Sequence, residues 1–83
     1  MSEKIIYIDS FNKNSVDLIK VNLQEWKGQM YVDMRIWHLD NPAEIGAENP
    51  THKGITMSAE LLPRLLDALQ KAQETFELEK EAK

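Results

Sequence analysis

WKGQMYVDMRIWHL, residues 26–39, decides the fold, because beyond the Lys27-Gly28 pair two sets of side chains change places at every step. Met30, Val32, Met34 and Ile36 form one set, and Tyr31, Asp33, Arg35 and Trp37 form the other. A period of two is the signature of a strand, so the first set lies on a buried face and the second on its reverse. That reverse face aligns two aromatic rings, a guanidinium and a carboxylate in one row. Rings beside a planar cation can stack on nucleic-acid bases, a contact worth about 1–3 kcal/mol per base. The same rings can instead cover a second core or a dimer interface, which is the commoner use of large aromatics.

Working outward, Lys4–Phe11 (KIIYIDSF) is rich in strand formers and stops at the turn cluster Asn12-Lys13-Asn14-Ser15. Residues 16–24 continue as a second strand, with Ile19, Val21 and Leu23 on one face. Asp17 shares that face by parity, and a bulge or a start at Leu18 would remove the conflict. Trp26-Lys27-Gly28-Gln29 makes the next turn, with Gly28 free to take positive φ. The segment Asp40–His52 contains Pro42, Gly46 and Pro50 and is expected as a loop able to act as a flap. Its acids Asp40, Glu44 and Glu48 make it a poor phosphate clamp.

HKGITMS, residues 52–58, supplies a short strand over 53–57, and Ser58 is placed to cap a helix over about 59–77 with Glu60 in its first turn. Leu62, Leu65, Leu66, Leu69, Ala72 and Phe76 recur at three- and four-residue steps, the stripe of a helix packed on something. Pro63 removes a backbone bond early in that helix, so its first turn is distorted or regular helix begins later. Residues 78–83 are expected to fray. The four strands are thus about 4–11, 16–24, 30–38 and 53–57, in one domain spanning 1–83. The fold class is α+β, a curved four-stranded antiparallel sheet followed by one C-terminal helix.

Composition bounds the function. A chain of 83 residues is one small domain, which buries only about 60% of its unfolded surface and gains from dimerisation. It has no cysteine, which removes disulfides and thiolate zinc sites and fits a reducing interior. No apolar run approaches the ~20 residues of a membrane span, and the start lacks the order of a secretory signal, so a cytoplasmic protein without a membrane partner is expected. Ten basic against fourteen acidic side chains give −4, the opposite of the usual nucleic-acid footprint. A phosphate-binding stripe must therefore come from uneven placement of Lys20, Lys27, Arg35 and Lys53, and few cations imply a shallow salt dependence.

Catalysis has little support. His38, Asp40 and His52 match no established metal-ligand spacing, and there is no Gly-rich phosphate loop or nucleophile motif. No enzyme activity, cofactor or metal is expected.

Three short motifs in order, W-K-G at 26–28, V-D-M-R-I-W at 32–37 and K-G-I-T-M-S at 53–58 running into an amphipathic helix, resemble the positive cofactor four family of transcriptional coactivators, in particular its small bacterial members. The resemblance covers roughly residues 16–70. It implies a homodimer that binds single-stranded DNA with little sequence preference in grooves of its curved sheets, located on the nucleoid when bound, with the transcription machinery as a further partner. By position it makes Trp26 and Trp37 the stacking aromatics and Lys27, Arg35 and Lys53 the phosphate contacts. Tyr31 and His38 follow as secondary contacts, Tyr31 on the face of Arg35 and His38 on the core side near the strand end. The helix face of Leu62, Leu65, Leu66, Leu69 and Phe76 is assigned to the dimer. Gln29 stands where a second basic residue is usual, and His52 precedes Lys53, so phosphate contacts are fewer. The alternatives are a protein-interaction module whose aromatic face docks a partner chain, or a binder of single-stranded RNA, since stacking surfaces accept either sugar.

Overall fold

In a computed structural model, residues 4–39 and 48–82 are described, and they form four strands, a short 3-10 turn and one long helix. The strands are β1 (Lys4–Asn12), β2 (Asp17–Trp26), β3 (Gln29–Leu39) and β4 (Glu48–Ser58). They pair antiparallel in chain order as a meander, which leaves β1 and β4 as edges. The 3-10 turn Ala59–Leu61 leads into α1 (Leu62–Glu81).

Each hairpin turn follows from local chemistry. Between β1 and β2 the side-chain oxygen of Asn14 accepts from the backbone N–H of Val16 and of Asp17, both at 2.9 Å, so an Asx turn closes the corner. Between β2 and β3 the loop is only Lys27-Gly28, with φ of 51° and 78°. Positive φ at both central positions is the two-residue hairpin geometry that matches strand twist. It places a lysine, and not only the glycine, in the left-handed region.

β2 and β3 stay in unbroken register from Asp17↔His38 to Trp26↔Gln29. Asp17 thus begins the strand on the core-side parity, with neither the bulge nor the later start expected. Its position at the sheet's end resolves the conflict, because its carboxylate reaches His38 Nδ1 at 3.0 Å and accepts from Asn14 Nδ2 at 3.2 Å. Bulges occur elsewhere. In β1 the register shifts between Tyr7 and Asp9, and between β3 and β4 it shifts across Arg35 and Trp37.

The expectation for β4 is corrected, because the strand starts at Glu48, with residues 48–50 paired to β3 and the register shift following them, rather than looped. Pro50 is tolerated there because β4 is an edge and lacks a neighbour on one side. The rest of the proposed flap, residues 40–47, lies outside the described residues. Gly54 is dictated by close approach, since a Cβ there would stand 2.6 Å from the Met34 carbonyl oxygen and 2.9 Å from Arg35 Cα. The helix starts irregularly, as expected from Pro63, and runs past its expected C-terminal end. Ser58 caps the 3-10 turn, its hydroxyl accepting from Glu60 N–H at 3.3 Å, and Pro63 falls in the first turn of α1, where its missing N–H costs nothing. The segment expected to fray is helical through Glu81, made of strong helix formers and supported by Lys80 beside Glu77 at 3.6 Å and over the Phe76 ring at 5.1 Å.

The core is slight. Among the described residues Val32 is the one buried apolar side chain, at 2% exposure, and Asp33 the one buried polar side chain, at 4%. The helix does not lie across the sheet. Leu62 and Leu65 are half-buried near the root of the helix, whereas Leu66, Leu69 and Phe76 project into solvent. Accordingly the radius of gyration is 15.6 Å, against about 12 Å for a compact domain of this length.

Candidate nucleic-acid interface

The register assembles one sheet face from alternate residues of every strand. Opposite Tyr31, Asp33, Arg35 and Trp37 on β3 stand Gln24, Asn22, Lys20 and Leu18 on β2. On the other side of β3 stand Ser58, Thr56 and Gly54, with Pro50 across from Trp37. β1 adds Ile5 across from Gln24 and Tyr7 across from Asn22. Because the bulge follows Tyr7, Ser10 returns to this face as the partner of Lys20, and its hydroxyl lies 3.0 Å from the Tyr7 hydroxyl.

These side chains enclose a groove of about 420 Å³ whose walls include Tyr7, Lys20, Asn22, Arg35, Trp37 and Pro50. A second hollow of about 400 Å³, lined by Gln24, Trp26, Tyr31 and Thr56, adjoins it through the shared Gln24. The two make one track along the strand direction, with Trp26 and Tyr31 at the turn end and Trp37 at the other. Six residues of strand separate Tyr31 from Trp37, about 20 Å at the usual rise.

Arg35 lies mid-track in a fixed pose. Its Nη2 donates to Asp33 Oδ1 at 3.0 Å, Nε to Asp33 Oδ2 at 3.4 Å, and Nη1 to the Thr51 carbonyl at 3.0 Å. Asp33 Oδ1 also accepts from the Thr56 hydroxyl at 2.6 Å, so the carboxylate is anchored to the neighbouring strand β4 as well as to Arg35 on its own strand. These bonds use three of the five guanidinium N–H groups and leave two for a ligand. The widened section of β4 contributes here, because Thr51 turns its hydroxyl to the Ile36 carbonyl at 2.8 Å while its own carbonyl receives Arg35.

Each tryptophan carries a lysine on its ring. Lys27 Nζ sits 4.6 Å from the centre of Trp26, and Lys20 Nζ sits 4.1 Å from the centre of Trp37. Trp37 Nε1 is buried with no hydrogen-bond partner, so this ring is held by packing and by the Lys20 ammonium rather than by its N–H. Lys20 is also paired with the Glu48 carboxylate. The track therefore holds Lys20, Lys27 and Arg35 against the acids Asp33 and Glu48.

Of the residues assigned from sequence, Trp26, Tyr31, Arg35 and Trp37 share the track, and Lys27 borders it at the turn. Lys53 does not join them. It is exposed in the widened part of β4, where its N–H donates to the Thr51 hydroxyl at 3.1 Å. His38 faces the opposite side and is bound to Asp17. That bond, followed by the one from Asn14, holds the Asp17 carboxyl below its ordinary value. Lys20, one of the four cations open to a phosphate-binding stripe, lines the groove, and so do Tyr7 and Asn22, which were not singled out. Strand parity along β2 would have found Asn22, whereas Tyr7 required the pairing of β1.

The sheet, the helix and this face invite comparison with known proteins. Residues 10–68, more than half of the chain, match the family model described as Transcriptional Coactivator p15 (PC4). The chain belongs to the PC4 family. Among solved structures, a PC4 homolog from Burkholderia pseudomallei K96243, BPSL1147, is similar at 25% identity in its orthorhombic crystal form, with a TM-score of 0.71 over 86% of this chain and 92% of that one. Its tetragonal form gives 26% identity and a TM-score of 0.70 over 84% and 98%. A bacteriophage T5 homolog of the eukaryotic coactivator PC4, implicated in recombination-dependent DNA replication, shares the fold at 22% identity, with a TM-score of 0.58 over 95% and 92%. No match is found among curated proteins. The PC4 assignment agrees with the four-stranded antiparallel sheet and single C-terminal helix seen here.

Proposed function

We propose that this PC4-family chain binds single-stranded DNA without sequence preference, acting as a homodimer in a coactivator-like or DNA-maintenance role, with no catalytic activity of its own. The observation that carries the proposal is the track with Trp26 and Tyr31 at one end, Trp37 at the other and Arg35 anchored between them. Bases stack on the aromatic rings, which is tolerant of sequence because every base has a π-face. Phosphates meet Lys27, the two unspent N–H groups of Arg35 and, at the rim, Lys53. His38 faces the other side of the sheet, bound to Asp17, and is not a main contact.

Pairing of two chains is supported by what lacks cover. Leu66, Leu69 and Phe76 are each more than half exposed on one helix. Exposed apolar stripes of this kind mark association surfaces. The acidic balance and the acids beside the cations predict modest affinity and a shallow salt slope.

Tryptophan fluorescence titrated with an oligothymidylate of about twenty bases tests this, with the matched duplex and the ribo-oligomer alongside. Quenching by the DNA strand, weaker with duplex and reduced at least tenfold in affinity by Trp37→Ala, is expected. Equal or tighter binding of the ribo-oligomer would transfer the role to RNA. No response to any strand would leave the aromatic face as a protein-docking surface.

A further inference from the structure

Two cations stand side by side on the groove face, since Lys20 and Arg35 are direct partners across β2 and β3. Like charges in that relation repel, so each needs an acid. The two acids differ. Asp33 is buried and holds Arg35 by two bonds while also bound to Thr56. Glu48 is the first residue of β4, across from Leu39, and it holds Lys20 by a single ion pair between side chains that are 21% and 30% exposed. One pairing is built into the sheet and the other is releasable.

Lys20 also covers the Trp37 ring, its Nζ 4.1 Å from the ring centre. A base stacking on that side of Trp37 and the Lys20 ammonium therefore compete for the same space. A phosphate and the Glu48 carboxylate compete for the same ammonium. Both conflicts end with one motion, in which Lys20 leaves Glu48 and the ring for a phosphate seated beside Arg35.

We propose that Lys20 is a phosphate-binding residue and that Glu48 is its internal competitor, so that a Glu48–Lys20–Trp37 clasp closes one end of the groove until a strand opens it. This rests on the single-strand reading above. The ligand chemistry is a phosphodiester backbone with an adjoining base, and Glu48 occupies the anion's place in the free protein.

The experiment compares wild type, Glu48→Gln, Lys20→Met, the double variant, and Glu81→Gln as a control that removes an equal charge from the far end of the helix. Each is titrated with the twenty-base oligothymidylate at several salt concentrations, after circular dichroism melts establish that it is folded. Glu48→Gln is expected to tighten binding about three- to fivefold, the scale of one partly exposed ion pair. It leaves the salt slope at least as steep as in wild type, because Lys20 meets phosphate in both. Lys20→Met lowers the slope by about 0.7, one phosphate contact on a single strand. In its background Glu48→Gln has no effect beyond that of Glu81→Gln. If Glu48→Gln behaves like Glu81→Gln while wild type binds, or if its gain survives Lys20→Met, the clasp is overturned and the single-strand reading stands. If neither wild type nor Glu48→Gln binds the strand, both fall together.

Discussion

Replacing Asp33 probes the one carboxylate that the fold buries. At 4% exposure it accepts from Thr56 at 2.6 Å and from Arg35 at 3.0 and 3.4 Å, tying β3 to β4 and fixing the guanidinium. Removing one member of a buried pair costs about 3–5 kcal/mol, because the other charge is left without a partner. Here the Arg35 side chain is 27% exposed, so water recovers part of that loss. For Asp33→Ala we expect about 2–3 kcal/mol. Asp33→Asn keeps an acceptor for Thr56 but makes neutral what was a charge-assisted bond, a difference of about 1 kcal/mol. In a domain of this size each kcal/mol moves the melting temperature by about 4–8 °C, so the alanine variant should melt about 10–20 °C lower and the asparagine variant about half as far. Thermal melts by circular dichroism at one fixed protein concentration are the assay, since an associating chain has a concentration-dependent midpoint. An Asp33→Ala protein that melts within about 2 °C of wild type would refute the assignment of Asp33 as the anchor of Arg35.

Three further outcomes are expected. Gly54→Ala must push a methyl against the Met34 carbonyl, 2.6 Å from the Cβ position, and should lower stability by about 1–3 kcal/mol in urea unfolding; an unchanged midpoint would mean that β4 shifts without cost. Leu69→Asp or Leu66→Asp, both on the exposed stripe, should give monomeric or unfolded protein by sedimentation, and a folded dimer would refute the helix as the interface. The Asp17 carboxyl, held below its ordinary 3.8 by His38 and Asn14, contributes stability that is full above that value and lost as pH falls through its lower folded value. Asp17→Asn should therefore lose less stability than wild type on acidification below about pH 4, and parallel acid-unfolding curves would remove Asp17 as a contributor.

Much of the fold was legible because its signals are local. The alternation from Met30 to Trp37 located β3 and its two faces, Lys27-Gly28 the tight turn, and Ser58 with Pro63 the irregular start of the helix. A glycine inside a strand marks a bulge or a close backbone approach, and Gly54 meets the second, since its absent Cβ would collide with the Met34 carbonyl. Pro50 misled, because a proline looks the same in a loop and on an edge strand, and only the neighbour's absence makes the latter permissible. The candidate site was half legible. Residues on β3 could be sorted by parity, but the place of Lys20 beside Arg35 depends on the β2–β3 register, and that of Lys53 on the widened pairing of β4. Register is set by partners distant in sequence.

Burial meets the expectation drawn from alternation at Val32 but not along the rest of that face, and the shortfall bears on function. The face bearing Asp33 and Arg35 contains the most enclosed polar group, while on the other face Met30, Ile55 and Phe11 are 37%, 51% and 54% exposed. A single sheet with its helix turned aside cannot cover its own apolar side, and domains are stable only when such a side meets a second layer. Among the described residues nothing supplies that second layer, and in the proposed dimer a second copy does. The groove is on the reverse side of β3, with Arg35, Asp33 and Lys20 already held by Thr51, Thr56 and Glu48 before any partner arrives. Pairing through the apolar side and the helix leaves that groove open. Assembly and strand binding should then separate by mutation, with Leu69→Asp abolishing the first and Trp37→Ala weakening only the second. Trp37→Ala protein that loses its dimer would place the aromatic face in the interface and return the groove to a structural role.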